Sequence, residues 1–286
     1  MAYNDGSIPT LAEEITGMFI PEMYSKEVIM HTMSNLVVAN AVNTQYKKDL
    51  RYGSVVNIPV MSEVTTAEVT PGTASTVINA VGSPVSVTID RWRVAVVSES
   101  EMMAVEDYAD YLSEAAKSCA YAIVKDIDTN VGSLFSALAG GTVQGADGQD
   151  LNDDVILALL EYLDAGDVPN DNRSLIGDPS SKADVLKIDK FVRNDYIRSS
   201  APIQTGQFGE IYGMPFLITN NLTATTTGNY GAMIHRDCIG LVIQKGPYAQ
   251  RVPKPWEHQT IYQVKVMYGA DEIRDTFGKS FYTRAK

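Results

Sequence analysis

An α+β fold is predicted by three features of this 286-residue sequence. A helical period runs through residues 99–138 without a proline. Segments on both sides of it alternate apolar and polar residues with the period of a strand. Between 140 and 245, short helical and strand-like segments succeed one another, the pattern of a compact mixed domain.

The helical stretch carries apolar residues at Val105, Tyr108, Leu112, Ala115, Cys119, Ile123, Ile127, Val131, Leu134 and Leu138, always three or four residues apart. Glu106, Asp107, Asp110 and Glu114 lie towards its N-terminal end, where the helix dipole favours acids. Gly140 and Gly141 supply the stop. A helix of this length would be a rod of roughly 60 Å. Only one side of it is strongly apolar, so it is expected to act as a backbone on which other elements hang.

Taken in order, residues 1–45 read as an arm. Thr10 can cap a short helix through Leu11, Ile15 and Met18, and Pro21 opens a second helical segment with Val28, Met33, Leu36 and Val37. This apolar surface is too small to form a core alone. Residues 46–91 change character. Lys47, Lys48, Asp49 and Arg51 form a charged hinge, SVVNIPVM is a strand, and Pro71-Gly72 marks a turn in a Thr/Ser/Val-rich stretch. VSVTIDRWRVAVV then reads as one returning strand with Val85, Val87 and Ile89 on one face. A two-stranded excursion of this kind is marginal by itself in water. It is expected to lie on a partner, the other reading being a hairpin folded back on its own domain.

After the long helix, Asn152 can cap and Asp153 and Asp154 suit the first turn of a short helix with Ile156, Leu159, Leu160 and Leu163 inward, ended by Gly166. RSLIGD is a buried strand, and Pro179 suits the first turn of the helix SSKADVLKIDKF. PFLIT is a strand, and GAMIHRDCIGLVIQ is a strand pair or bent strand. In the tail, Ile261, Val264, Val266 and Tyr268 lie in a strand-like segment expected to pair with VSVTI and RVAVV across the chain, against the long helix.

Composition narrows the function. Hydrophobic residues make up 45%, normal for a folded protein, and the net charge is −12. An acidic balance argues against a sequence-reading nucleic-acid binder, though a container for nucleic acid is compatible with it. Cys119 and Cys238 are expected to be buried reduced thiols rather than a disulfide framework. No basic segment followed by an apolar run opens the chain, and no stretch approaches about 18 consecutive apolar residues, so neither an export signal nor a membrane span is expected.

No catalytic, cofactor-binding or metal site is predicted. His31, His235 and His258 are scattered, and no HxxxH, HExxH, CxxC or GxSxG spacing occurs. The glycines Gly140, Gly141 and Gly145 lack the following Lys of a phosphate loop. Asp147, Asp150, Asn152, Asp153 and Asp154 crowd one loop but miss the spacing of a calcium-binding EF-hand, so a solvated loop with a helix cap is expected. Asp126 and Asp128 read as part of a solvated helix face.

The order of elements resembles the major capsid protein of tailed bacteriophages, with the Hong Kong 97-type capsid fold. Three stretches carry the resemblance locally. IPEMYSKEVIMHTMSNLVVANAVNTQYKKDLRYGSVVNIPV is similar to the family's arm leading into its extended loop. FGEIYGMPFLITNNL is similar to its axial-domain stretch, and YGAMIHRDCIGLVIQ to the strand that follows. The resemblance implies an N-terminal arm at 1–45, an extended β-hairpin loop at 46–91, and the spine helix of a peripheral domain at 92–139. An axial α/β domain at 140–250 and return strands to the peripheral sheet at 251–286 complete it. It further implies a non-enzymatic structural protein without cofactors, assembled in the host cytoplasm and located in the virion. Such a subunit self-assembles into hexamers and pentamers of an icosahedral head that encloses double-stranded DNA without sequence-specific binding. A scaffolding protein, a portal and a decoration protein are its implied partners, with no membrane involved. An encapsulin-like cellular cage holding a cargo enzyme is the alternative with the same fold. Gly53, Gly82 and residues 47–51 are candidate hinges between five-fold and six-fold settings. The founding member's loop lysine crosslinks covalently to a neighbour. Between Met61 and Val87 this chain has no lysine, so no such crosslink is expected from that loop.

Overall fold

The computed structural model describes residues 37–48, 53–60, 66, 68, 72, 82, 84–102, 111–188 and 210–284. The expected helices before Val37 and most of the loop tip lie outside these residues. Gly72, at the expected turn, has φ +91, which a residue without a Cβ adopts freely.

The chain enters through α1 (Val38–Ala41), whose Val38 and Ala39 are buried. It is stitched down at both ends of a short path. The Ala39 N–H donates to Asp128 Oδ1 at 3.4 Å. Asn43 then bonds as an isolated bridge to Gly240, and its side-chain amide donates to Asp237 Oδ1 at 2.7 Å. A 3₁₀ turn at Gln45–Lys48 leads to β1 (Val55–Pro59), which pairs antiparallel with β2 (Pro84–Thr88) in register from Val55 opposite Thr88 to Pro59 opposite Pro84. Val56, Ile58, Val87 and Ile89 meet Val242 and Ile273, so the base of this hairpin has a small core of its own on the body.

The expected single strand over 85–97 is two strands in two different sheets. The chain bends at Ile89 and Asp90, and β3 (Arg91–Ser100) joins a three-stranded antiparallel sheet in the order β3-β9-β8, with β8 at Ile239–Lys254 and β9 at Gln259–Glu272. The tail therefore pairs with RVAVV as expected, from Arg91 opposite Tyr268 to Ser100 opposite Gln259, but VSVTI pairs with β1 instead. Crossing is possible because Gly269 of β9 has no side chain. A Cβ there would lie 2.1 Å from the Thr88 carbonyl oxygen.

The long helix, α2, spans Tyr111–Leu134. Glu99 and Ser100, read as its start, belong to β3, because long-range pairing with β9 claims them. Val105 and Tyr108 lie outside the described residues. At the other end, Phe135 and Leu138 sit in a turn that extends the buried row Cys119, Ile123, Ile127, Val131. α2 is more enclosed than its sequence suggested. Ala120, Val124, Asp128 and Asn130 are also buried. It is clamped between α1, the inner face of β9 at Val264, Val266 and Tyr268, and Ala232 and Ile234 of β7 (Tyr230–His235).

A second sheet has five strands in the order β10-β7-β4-β6-β5. Its remaining members are β4 (Arg173–Gly177), β5 (Glu210–Ile211), β6 (Met214–Ile218) and β10 (Gly278–Tyr282). β4 and β6 are parallel and the other pairs antiparallel. All five residues of β4 are buried, the mark of a central strand. α3 (Asp153–Ala165) covers it with Ile156, Leu159 and Leu163, while Leu160 is half-buried. Asn152 stands at the N-cap position but its side chain makes no capping bond. α4 (Pro179–Val185) opens with Pro179, as expected. The strand pair read in GAMIHRDCIGLVIQ is β7 and the start of β8, and the turn between them hands the chain from one sheet to the other. The last strand does not return beside β8 and β9. It lies at the edge of the five-stranded sheet, against β7.

Candidate assembly surfaces

The three-stranded sheet has one face on α2 and one face open. Ala95 and Val97 of β3 turn inward to the helix core. Trp92, Val94 and Val96 alternate with them and are 67%, 51% and 52% exposed. Directly opposite on β9 stand Met267, Lys265 and Gln263, and beyond them on β8 stand Lys245, Tyr248 and Gln250. Lys245 Nζ sits 3.9 Å from the centre of the Tyr248 ring. β3 pairs with β9 alone, so its other edge is unpaired among the described residues. A ten-residue edge strand with exposed Trp92, Val94 and Val96 is a template for pairing and aggregation unless something covers it. At the far end of the sheet, a 3₁₀ turn at Pro255–Glu257 carries Trp256, 87% exposed, and the Glu101 N–H, beside Met102, 72% exposed, donates to the His258 carbonyl at 3.0 Å. Large apolar groups grouped in this way mark interaction sites.

The sheet behind this face is held rigidly. Asp126 of α2 accepts a hydrogen bond from the Tyr268 hydroxyl at 2.6 Å and pairs with Arg93 Nε at 3.3 Å, tying helix to both strands. Burial, with the Asp126 carboxylate, pushes the Tyr268 hydroxyl far above its usual range. Asp128, two residues on, is 1% exposed and faces α1. Burial raises its carboxyl, while the N–H groups of α1 pull it back. Asp126 and Asp128 are thus not a solvated face. Residues two apart point to nearly opposite sides of a helix, and both sides of α2 are covered.

The acidic loop disperses into separate structural roles. Asp147 accepts from Thr225 Oγ1 and from the N–H groups of Thr227 and Gly228. Asp150 pairs with Lys187, and Asp153 accepts from the Tyr212 hydroxyl at 2.6 Å. Among the described residues, no group of three or more His, Cys, Asp or Glu is placed to hold a metal ion. His235 is buried and edge-on to Phe277, and burial pushes its imidazole down. His258 is exposed, 3.4 Å from Glu101, and His31 lies outside the described residues. Cys119 and Cys238 are buried free thiols raised by burial, so they are weak nucleophiles. No described helix is long and apolar enough to cross a membrane.

One group the sequence reading passed over organises the second sheet. Asp178, fully buried, caps α4 through the Ser181 N–H and accepts from Ser180, Ser181, Asn229 and Thr283 side chains. The signal was the Asp-Pro-Ser-Ser run, an N-cap three residues before a donor. Burial raises this carboxyl, but the hydrogen bonds outweigh it and hold it below the ordinary value. Its folded pKa is thus depressed. The stabilisation is present above the unfolded value of about 4 and is lost as pH falls through the folded one. In Asp178→Asn, stability measured by urea unfolding at neutral pH is expected to fall by about 2 kcal/mol, with a shallower further loss below about pH 4 than in the parent chain. Equal acid slopes would show that Asp178 is not the responsible group.

The family model described as phage capsid protein matches residues 82–276. No curated protein matches the chain. Among solved structures, that of Mycobacterium phage Che8 is similar at TM-score 0.73 and 19% identity, covering 86% of this chain and 91% of that one. The capsid structure of the cyanophage P-SCSP1u aligns at TM-score 0.68 and 16% identity, covering 86% of each chain. A virus-like particle from Pyrococcus furiosus aligns at TM-score 0.61 and 12% identity, covering 92% of this chain and all 100% of that one.

Proposed function

Because the chain belongs to the phage capsid protein family, as a tailed-phage major capsid protein with the Hong Kong 97-type fold, we propose that it builds both the hexamers and the pentamers of an icosahedral head around double-stranded DNA. It is a structural protein of the virion, a shell subunit that associates with copies of itself and not an enzyme. The observation that carries the finer reading is the open face of the three-stranded sheet, with Trp92, Val94 and Val96 along an unpaired edge. Large exposed apolar side chains along a strand edge invite pairing with another chain. A closed shell covers it with a neighbour, and assembly then stabilises the subunit by mass action.

The division into arm, extended loop, spine helix, axial domain and return strands at 1–45, 46–91, 92–139, 140–250 and 251–286 is part of this proposal, with two adjustments: β3 precedes the helix in the third segment, and β10 of the last segment joins the five-stranded sheet instead of returning. The extended loop would lie on a neighbouring copy beyond its anchored base. Assembly in the host cytoplasm, with a scaffolding protein, a portal and a decoration protein as partners, completes it. The acidic balance suits a wall that does not hold packaged DNA. A strongly basic inner surface in the assembled shell would refute that point.

Lysine is missing between Met61 and Val87, so that part of the loop cannot supply an amine to a covalent bond with a neighbour. Particles boiled in denaturant are expected to run as a single monomer band, and a ladder of covalent oligomers would refute this. Purified particles treated with nuclease decide between head and cage. Protected double-stranded DNA is the expected content, together with five-fold and six-fold clusters in images. A protein cargo without DNA would favour an encapsulin-like cage.

A further inference from the structure

A cleft of about 520 Å³ opens between α1 and the ends of β4, β6 and β7. Pro215 and Leu217 form an apolar wall, and Asn172, Arg173, Ser174 and Arg236 form a polar one. Register explains the polar group. Arg173 pairs with His235 and Ser174 with Ile234, and the Arg236 N–H donates to the Asn172 carbonyl at 3.1 Å. Asn172, Ser174 and Arg236 therefore share one face of the antiparallel pair. Arg173, one position out of phase, spends its guanidinium on Asp164 and on the carbonyls of Val168 and Pro169. Arg236 differs at its Nε. Its buried Nε makes no hydrogen bond among the described residues, and neither does the Oγ of Ser174, which is 5% exposed. A half-buried guanidinium with an unsatisfied Nε and a buried unsatisfied hydroxyl, on one face of the same strand pair, are costly for the subunit alone. The group that satisfies both is an acceptor with negative charge.

We propose that this cleft is an oxyanion-binding site, with Arg236 and Ser174 as its receiving pair, that takes a carboxylate or phosphate group. A planar guanidinium matches either group through paired N–H donors. Two sources carry that chemistry. One is an oxyanion free in solution. The other is an acidic side chain of a second copy of this chain, which carries 35 Asp and Glu against 23 Lys and Arg and meets itself in a shell.

Two measurements on the full chain separate them. Dispersed subunits are heated with millimolar inorganic phosphate or acetate, against sodium chloride of equal ionic strength. The parent chain is expected to gain about 3 °C in Tm, and Arg236→Gln and Ser174→Ala to gain less than half of that. Arg236→Gln removes an unpaired charge, so it folds, and Arg236→Lys should restore part of the shift. Assembled particles are then dissociated in urea. A lower midpoint for Arg236→Gln than for the parent assigns the carboxylate to a second copy. An unchanged midpoint with a phosphate shift in dispersed subunits assigns the site to a solution oxyanion. Either result supports the site. No anion-specific shift in the parent chain together with equal dissociation midpoints, or an equal shift in Arg236→Gln, overturns it.

Discussion

Gly269→Ala is expected to destabilise the subunit by about 3 kcal/mol, at the upper end of the cost of overpacking, and to lower Tm by about 6–10 °C. The new Cβ would stand 2.1 Å from the Thr88 carbonyl oxygen and 2.9 Å from the Ile89 Cα. Both obstacles are backbone, so no side chain can swing away. The chain must lift where it leaves β2 for β3. That strains the pairing of Arg91 with Tyr268 and the small core of Val56, Ile58, Val87, Ile89, Val242 and Ile273. The hairpin base is thus loosened from the body together with the first pairs of β3. Gly246→Ala is the control, since nothing lies within 4 Å of a Cβ there. Thermal unfolding of the two variants should differ by the full effect. Equal melting would show that the crossing at Gly269 is not tight.

Replacing Trp92, Val94 and Val96 together by Glu is expected to abolish assembly while leaving the subunit folded. These side chains point away from α2, so the subunit loses little when they change, and its Tm should stay within about 2 °C of the parent. In a shell the same positions would place three carboxylates in a covered apolar interface. Each buried side chain of this size contributes about 1.5–3 kcal/mol, and charge there costs more. The concentration needed for assembly should rise more than about 100-fold, since each 1.4 kcal/mol is about tenfold. Light scattering across a dilution series reads this. Normal assembly of the triple variant would place the contacts elsewhere.

Sequence periodicity located the axis of the molecule because the apolar row Cys119, Ile123, Ile127, Val131 is a local property of one helix. It failed where distant partners decide. Ser98, Glu99 and Ser100 resemble a helix start, yet they pair with Ile261, Thr260 and Gln259, more than 150 residues away. VSVTIDRWRVAVV shifts its apolar phase at Asp90 and Arg91, from Val85, Val87 and Ile89 to Trp92, Val94 and Val96, which is a local mark of the bend that reading one continuous strand passed over. Which sheet each half joins is decided by distant partners, and the close crossing is permitted by Gly269. Likewise Gly278–Tyr282 has a strand pattern that fits either sheet, and only its partner, β7, settles which. The assembly face was legible in part. Alternation in RWRVAVV was visible, but which side meets α2 depends on register with β9. Asp178 was readable from its Asp-Pro-Ser-Ser context, and Arg236 was not, because its isolation depends on what Arg173 has already taken.

The central claim is that the open sheet face and the hairpin belong to an interface between copies. The most direct measurement is to purify the chain, alone and with the proposed scaffolding protein, and determine particle mass by light scattering while imaging it in negative stain. Closed shells or capsomer-sized rings are the predicted result. A monomer that persists at high concentration with the proposed scaffolding protein present would contradict the claim.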